Sequence, residues 1–233
     1  MGIRLKTIKY FEEITDILGY KTFKNLRLCQ LGDSKVRQCA RKYLYYKNHE
    51  KSYHKGSKYF EDLGFKVITI DLGVGAEAVA DTVLKLDLSK PMIGPIKPFD
   101  FIIDFGTGEH IDNQFELFRN INNLCKPGGL ILRCNPSDRF GEAHGHGYTF
   151  AFYLELSKLC GYKIIDVRET DPAYQIDQNT PLYRNHLYAA MVKTEHWDFT
   201  EDEFSKAEKT IKKRESFPRL VFHKQSMREK RGE

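Results

Sequence analysis

Two short segments of the chain carry histidine and glutamate side chains that could move protons. Glu109 and His110 follow one another directly after an apolar run, and His144 and His146 lie in a glycine-rich stretch further along the chain. An imidazole with a pKa of about 6.5 can accept a proton at neutral pH, and a neighbouring carboxylate can orient it. These residues predict a general base, with His110 as first candidate, His146 as second, and Glu109 orienting one of them.

The alternatives for these residue types are a metal site, a structural role and hydrolase chemistry. Glutamate and histidine can bind a divalent ion, but the spacing here matches no familiar metal motif, so we predict no metal site. Glu109 could instead be a first-turn acid that stabilises the following helix, with the loop histidines exposed and idle. Hydrolase chemistry is disfavoured, because Ser34 has no GxSxG context and no cysteine lies beside a histidine.

Strand-length apolar runs alternate with segments of helical periodicity along most of the chain. The predicted strands are 26–31, 66–72, 82–86, 99–105, 130–135, 163–167 and 187–194. The predicted helices are 3–18, 35–47, 56–63, 112–125 and 150–160. No helical pattern separates the last two strands, so the final strand should run antiparallel. We therefore predict an α/β fold with a Rossmann-like doubly wound sheet, mostly parallel with an antiparallel last strand.

Composition limits the class of protein and its organisation. The chain of 233 residues has 41% hydrophobic residues and a net charge of +5, which excludes a disordered chain. Its apolar runs are shorter than the roughly 20 residues of a membrane span, and we identify no signal peptide. Five cysteines without a CxxC pair predict free thiols, mostly buried, in the cytoplasm. We expect a helical extension over 1–24, a central domain over 25–195 and a basic helical tail over 196–233.

Polar residues follow several predicted strands, at the edge where doubly wound sheets bind ligands. An acid after the second strand, Asp71, can accept hydrogen bonds from a ribose diol. It lies 39 residues after Gly32, against about 20 in the dinucleotide fingerprint, so an NAD-linked oxidoreductase is disfavoured. The candidate binding residues at the strand ends are Gln30, Gly32, Asp33, Asp71, Leu72, Asp87, Leu88, Asp104, Phe105 and Gly106.

Two motifs in the middle of the chain carry a family resemblance. The FDFIIDF strand of 99–105 continues into Gly106-Thr107-Gly108-Glu109-His110, and the turn Lys126-Pro127-Gly128-Gly129 comes before a further strand. Over about residues 26 to 194 the chain resembles class I S-adenosylmethionine (SAM)-dependent methyltransferases. It is most similar to a bacterial and phage-like group with GTxEH and HG-Y-F segments. In the turn, we expect Pro127 to end the helix and the glycine pair to start the strand.

The resemblance implies SAM as the cofactor and assigns parts of it to the strand ends. The first loop, with Gln30, Gly32 and Asp33, would lie beside the methionine moiety, and Asp104, Phe105 and Gly106 would lie near its amino-acid end. Asp71 and Leu72 would lie at the ribose, with Asp87 at the adenine amino group and Leu88 on the ring. The first loop departs from the family pattern, because Asp33 and Ser34 stand where further glycines are usual.

These expectations combine into one predicted function. The chain is predicted to be a SAM-dependent O-methyltransferase with a histidine base and a small-molecule or sugar-type acceptor. The alternative is a non-catalytic SAM-binding module on the same fold, because the first loop lacks the further glycines of the family pattern. A nucleic-acid partner is not expected, because no RNA-binding motif accompanies the basic C-terminal tail.

Overall fold

A computed structural model describes residues 2–47, 51–72, 83–138, 145–169, 185–195 and 197–214. The strands are β1 (Gly2–Ile3), β2 (Arg27–Leu31), β3 (Lys35–Val36), β4 (Lys66–Asp71), β5 (Val83–Lys85), β6 (Phe99–Asp104), β7 (Cys125–Pro136), β8 (Gly145–Gly147), β9 (Tyr162–Glu169), β10 (His186–Lys193) and β11 (Lys212–Arg214). The helices are α1 (Leu5–Ile17), α2 (Gln38–Lys47), α3 (Gly56–Asp62), α4 (Gln114–Leu124), α5 (Phe150–Cys160) and α6 (Glu201–Glu208), with a 3-10 helix at Gly108–His110.

The central sheet has seven strands in the order β5-β4-β2-β6-β7-β10-β9. Strands β5, β4, β2, β6 and β7 are parallel, whereas β10 runs antiparallel to both of its neighbours, β7 and β9. The predicted Rossmann-like sheet with an antiparallel last strand is therefore confirmed. Strand order reverses between β2 and β6, which is where sheets of this kind bind ligands.

The register of the parallel strands aligns their carboxyl ends. Leu31, the last residue of β2, pairs with Ile70 of β4 on one side and with Asp104 of β6 on the other. The loops that leave these three strands consequently start at the same edge of the sheet. Residues far apart in sequence are brought together there by backbone pairing alone.

Each face of the sheet is covered by three helices. Side chains of a strand alternate between the faces, so Phe101 and Ile103 join the apolar cluster of α1, α2 and α3, whereas Ile102 joins that of α4, α5 and α6. Helix α6 contributes Phe204, which is fully buried, 5.8 Å from the ring of Phe118. The segment after residue 195 thus helps to build the main core.

Polar side chains cap the starts of α4 and α5, and a glycine ends α5. Asn113 accepts the N–H of Glu116 at the start of α4, and Thr149 accepts the N–H of Phe152 at the start of α5. Helix α5 ends at Gly161, whose φ of 62° is the left-handed conformation that favours glycine. These local caps fix where both helices enter and leave the layer.

The turn before β7 differs from the prediction. Helix α4 ends at Leu124, three residues before Pro127, and Cys125 already pairs with Phe99 of β6. The register between β6 and β7 then shifts, and Gly128 takes a φ of 78°. The prediction that Pro127 ends the helix is wrong, because the strand absorbs the Pro-Gly-Gly sequence as an irregularity after pairing has begun.

Of the predicted basic helical tail, the structure describes residues 197–214, and this part holds one helix and one short strand. After α6, residues Lys212–Arg214 form β11, which pairs antiparallel with β8. All five cysteines lie in the described residues; Cys29, Cys125, Cys134 and Cys160 are buried free thiols, and Cys39 is an exposed one. Among the helices of the described ranges, none has the length and apolar character to cross a bilayer.

Candidate active site

A cavity of about 350 Å³ opens where β2, β4, β5 and β6 end. Its wall is built from four loops that the sheet brings to one edge. The lining residues are Gly32, Asp33, Ser34, Ile70, Asp71, Leu72, Leu86, Asp87, Leu88, Gly106, Thr107, His110 and Ile111. Eight of the residues predicted from the sequence are therefore in this wall: Gly32, Asp33, Asp71, Leu72, Asp87, Leu88, Gly106 and His110.

Gly32 holds the first loop close to the loop that follows β6. Its φ is 73°, and its N–H donates a 2.7 Å hydrogen bond to the carbonyl of Ile70. A Cβ atom at this position would clash with the hydroxyl oxygen of Thr107, which itself donates to the carbonyl of Leu31. Only glycine fits here without displacement, both for its φ and for the close approach.

Three polar side chains shape the same loop. Gln30 is buried outside the cavity and donates a 2.8 Å hydrogen bond to the carbonyl of Gly32. The Asp71 carboxylate accepts the N–H of Asp33 at 2.8 Å, and Asp33 forms an ion pair with Lys55. Gln30 therefore fixes the loop from behind, while Asp71 joins the ends of β2 and β4 at the cavity.

The third strand end supplies one acid and two apolar contacts. Asp87 accepts hydrogen bonds from the hydroxyl and the N–H of Ser89, at 2.6 and 3.0 Å, and these bonds lower the pKa of its carboxyl group below the usual value. Leu88 is buried, whereas Leu72 is 52% exposed at the opening. The Leu88 side chain gives the cavity wall an apolar surface suited to a flat apolar group.

Asp104 is placed differently from the other strand-end acids. It is fully buried and does not line the cavity. One of its oxygens accepts the N–H groups of Thr107 and Gly108, both at 3.0 Å, and the other accepts two hydrogen bonds from Arg133. Its neighbour Phe105 is also buried away from the wall, so of Asp104, Phe105 and Gly106 the cavity is lined by Gly106 alone.

Arg133, in the middle of β7, is a residue that sequence reasoning missed. Its side chain is completely buried, with Nε and Nη2 at 3.0 and 2.7 Å from Asp104 Oδ2. The guanidinium lies 4.5 Å from the ring centre of Phe118 and 4.4 Å from that of Tyr148. The available signal was one arginine inside the apolar run LILRC, since a charge at a buried strand position requires a partner.

Glu109 and His110 lie on the 3-10 helix that follows β6. Glu109 is buried, and its Oε2 accepts a 2.8 Å hydrogen bond from Asn135, which also donates to Asp104 at 3.2 Å. Burial, with a smaller contribution from the negative charge of Asp104, raises the pKa of Glu109 to about 7. Its other oxygen is 3.6 Å from His110 Nε2, and His110 reaches the cavity.

Of the two histidines of the glycine-rich segment, His146 is described by the structure, and it does not line the cavity. His146 is buried in β8, where it pairs across the strand with Lys213 of β11. His144 falls outside the described residues. Gly145 packs against the backbone of Glu109, so β8 supports the 3-10 helix from outside. Within the described ranges, no three His, Cys, Asp or Glu side chains come together as a metal site.

Comparison with known proteins gives matches at the level of structure. No protein-family model and no curated protein matches the chain. A SAM-dependent methyltransferase from Mesorhizobium loti aligns with a TM-score of 0.53 at 14% identity, over 81% of this chain and 99% of that one. The N-methyltransferase NodS from Bradyrhizobium japonicum WM9, solved with S-adenosylhomocysteine, aligns with a TM-score of 0.50 at 13% identity, over 82% and 88%. The chain thus has the fold of class I SAM-dependent methyltransferases.

Proposed function

We propose that the protein is a SAM-dependent methyltransferase acting on a small-molecule acceptor. The observation that carries this proposal is the cavity wall. It combines a close-packed glycine loop, an acid after β4, an acid and a buried leucine after β5, and a histidine after β6. In the sheet order β6-β2-β4-β5, these features would contact first the methyl and methionine part of SAM, then its ribose and then its adenine. NodS, which shares the fold, was solved with S-adenosylhomocysteine.

The described residues fit the cofactor. Gly32 lets the first loop pack directly against Thr107 in the wall, and Asp71 offers a carboxylate to a ribose diol. Asp87, held by Ser89, would face the adenine amino group above Leu88. SAM, when bound, supplies a methyl group already activated on a sulfonium, so the protein has chiefly to orient an acceptor. Gln30, Asp104 and Phe105 support the loops from the interior.

We assign His110 as the general base. It combines exposure to the cavity with a carboxylate 3.6 Å behind its ring. When Glu109 is ionised, it orients the imidazole and stabilises the imidazolium that forms on proton uptake. A base of this kind suits a hydroxyl acceptor, which must lose its proton, and supports O-methylation. His146 is buried in β8 and does not line the cavity, so it would have a structural role.

The cofactor assignment is tested by calorimetry on the full chain. We expect S-adenosylhomocysteine to bind and nicotinamide cofactors not to bind; the reverse result would reject the proposal. The base assignment is tested with His110→Ala, which should lower methyl transfer while leaving S-adenosylhomocysteine affinity unchanged. Glu155→Gln, at an exposed position on α5, serves as the control. Cofactor binding without transfer to any acceptor in a broad hydroxyl-compound screen would favour the non-catalytic module.

The remaining expectations on acceptor and compartment belong to the same proposal. Four buried free thiols suit a reducing compartment, which supports a cytoplasmic location. A sugar-type acceptor is supported by the GTxEH and HG-Y-F resemblance of the sequence. An acceptor screen that contains sugars and small hydroxyl metabolites tests this assignment directly.

A further inference from the structure

Five basic side chains gather beside the cavity, where β3 meets the segment before α3. We call this group the cationic cluster; its members are Lys35, Arg37, Arg41, His54 and Lys55. Lys35 is directly opposite Lys55 in an antiparallel bridge, and the N–H of Val36 donates to the carbonyl of His54 at 2.8 Å. Two stretches of chain separated by α2 are thereby joined by backbone pairing.

Lys35, Arg37 and His54 of the cluster are exposed, whereas Arg41 and Lys55 are half-buried. Val36 is buried, and its neighbours Lys35 and Arg37 are exposed, as the alternation of a strand requires. Arg37 passes over Gly2 of β1, where a Cβ atom would lie 2.8 Å from its Nε. Arg41 follows one helical turn later in α2, and its N–H donates to the carbonyl of Arg37. Glycine at position 2 thus makes room for the guanidinium.

The cluster has little negative charge of its own. In the described part of the chain its one ion pair joins Lys55 to Asp33. Arg41 Nη1 lies 3.1 Å from His54 Nδ1, and a guanidinium can only donate in such a contact. Helix α2 has no acidic residue in its first turn. Like charges placed opposite each other destabilise a fold, so an anion bound here would relieve the repulsion.

The cluster adjoins the cavity wall along the backbone, although none of its five members lines the cavity. Asp33 and Ser34 line the cavity, and the next residue is Lys35. The N–H of Gly56, directly after Lys55, donates to the carbonyl of Ser34 at 2.9 Å. A ligand with one end in the cavity could therefore place an anionic group against Lys35 and Arg37 without leaving the surface. Guanidinium groups recognise phosphate and carboxylate oxygens with paired hydrogen bonds.

We propose that the cationic cluster binds the phosphate or carboxylate group of an anionic methyl acceptor whose reactive end lies in the cavity. This inference rests on the proposed methyltransferase function and narrows its substrate class to anionic small molecules. The cluster selects the acceptor by charge, while His110 acts at the other end of the cavity.

The test is an NMR titration of the full chain with inorganic phosphate and, separately, acetate at constant ionic strength. It is run with and without S-adenosylhomocysteine. We expect saturable shifts of the backbone amides of Lys35 and Arg37 with at least one anion. The double variant Lys35→Gln/Arg37→Gln should weaken this affinity by about tenfold, because it removes two charge-assisted contacts. The matched control is Lys66→Gln/Lys97→Gln, which removes the same charge from exposed residues at the opposite sheet edge.

Each contrary result has a distinct meaning. If the control variant also lost anion binding, the binding would depend on the overall positive charge of the protein and not on the cluster. This result would overturn the proposal. A parallel fall of S-adenosylhomocysteine affinity in the double variant would assign the cluster to the cofactor carboxylate instead. Binding of an RNA oligonucleotide without binding of either anion would make it a nucleic-acid surface. A wild-type protein that binds S-adenosylhomocysteine but neither anion rejects this inference alone, whereas failure to bind S-adenosylhomocysteine rejects the proposed function.

Discussion

The Nε2 atom of His110 lies 3.6 Å from the Oε1 atom of Glu109, yet the two side chains have opposite environments. The Glu109 side chain has no exposed surface, whereas that of His110 is 40% exposed. Asn135 holds the second oxygen of Glu109 from the interior at 2.8 Å. The pair therefore connects a buried carboxylate, anchored in the core, to an imidazole that meets the cavity.

Replacing Glu109 should change how stability depends on pH. Burial raises the pKa of Glu109 from 4.5 to about 7, so the folded state holds this proton more tightly than the unfolded state. Its contribution to stability is fully present below pH 4.5 and is lost as the pH rises towards 7. Relative to wild type, Glu109→Gln should gain stability over this window, with a slope of up to about 1.4 kcal/mol per pH unit. Urea unfolding at several pH values measures the difference.

The control for this experiment is Glu155→Gln on the exposed face of α5. Glu155 has an exposed ion pair with Lys158, so its replacement should change stability by only about 0–1 kcal/mol. Identical pH profiles for wild type and Glu109→Gln would show that the Glu109 carboxyl titrates normally.

Removing Arg133 should strongly destabilise the fold. The Arg133→Met variant leaves the buried Asp104 carboxylate without its charged partner, at a cost of about 3–5 kcal/mol. The double variant Arg133→Met/Asp104→Leu should recover part of this loss, since no unpaired charge remains. Arg119→Met, which removes a partly exposed pair with Glu116, should cost about 0–1 kcal/mol. Equal losses in urea unfolding for Arg133→Met and Arg119→Met would contradict a dominant role of the buried pair.

Asp71→Ala should weaken cofactor binding. The change removes the acceptor proposed for the ribose diol and also the bond that holds the Asp33 N–H. Two lost hydrogen bonds predict at least about a tenfold fall in S-adenosylhomocysteine affinity by calorimetry. Asp16→Ala alters an exposed carboxylate on α1 and should leave the affinity unchanged. An Asp71→Ala protein with wild-type affinity would remove this residue from the binding site.

Gly32→Ala and Gly19→Ala form a matched pair at nearly the same backbone conformation. Gly32 has a φ of 73° and Gly19 a φ of 76°, so both substitutions cost about 1–2 kcal/mol of backbone strain. A Cβ on Gly19 has no neighbour within 4 Å, whereas one on Gly32 meets Thr107. Gly32→Ala should therefore be the more destabilising in thermal unfolding, and it alone should lower S-adenosylhomocysteine affinity. Equal effects on stability would mean that the loop of Gly32 and the loop of Thr107 can move apart without loss of stability.

The amino-acid sequence predicted the seven strands of the central sheet, the helices that cover it and the sheet type, because these depend on local patterns, but it did not predict the short strands β1, β3, β8 and β11. Apolar runs of strand length and helical spacing repeat at short range, and the missing helix before β10 indicated its antiparallel direction. The same patterns placed Asp71, Asp87 and His110 at strand ends, and hence at one edge. The turn at Pro127 was predicted wrongly because pairing of Cys125 with Phe99 depends on a strand 26 residues away.

What the tertiary structure decided is the direction in which each strand-end side chain points. Asp71 and Asp104 follow equivalent strands, but Asp104 turns inward because Arg133, 29 residues later in the chain, is buried beside it. Glu109 also turns inward, because Asn135 is buried beside it and donates a hydrogen bond to it. His110 then remains at the cavity. The cationic cluster likewise exists only because residues 54 and 55 return to pair with β3. Such choices depend on contacts between distant residues, which local patterns of the sequence do not contain.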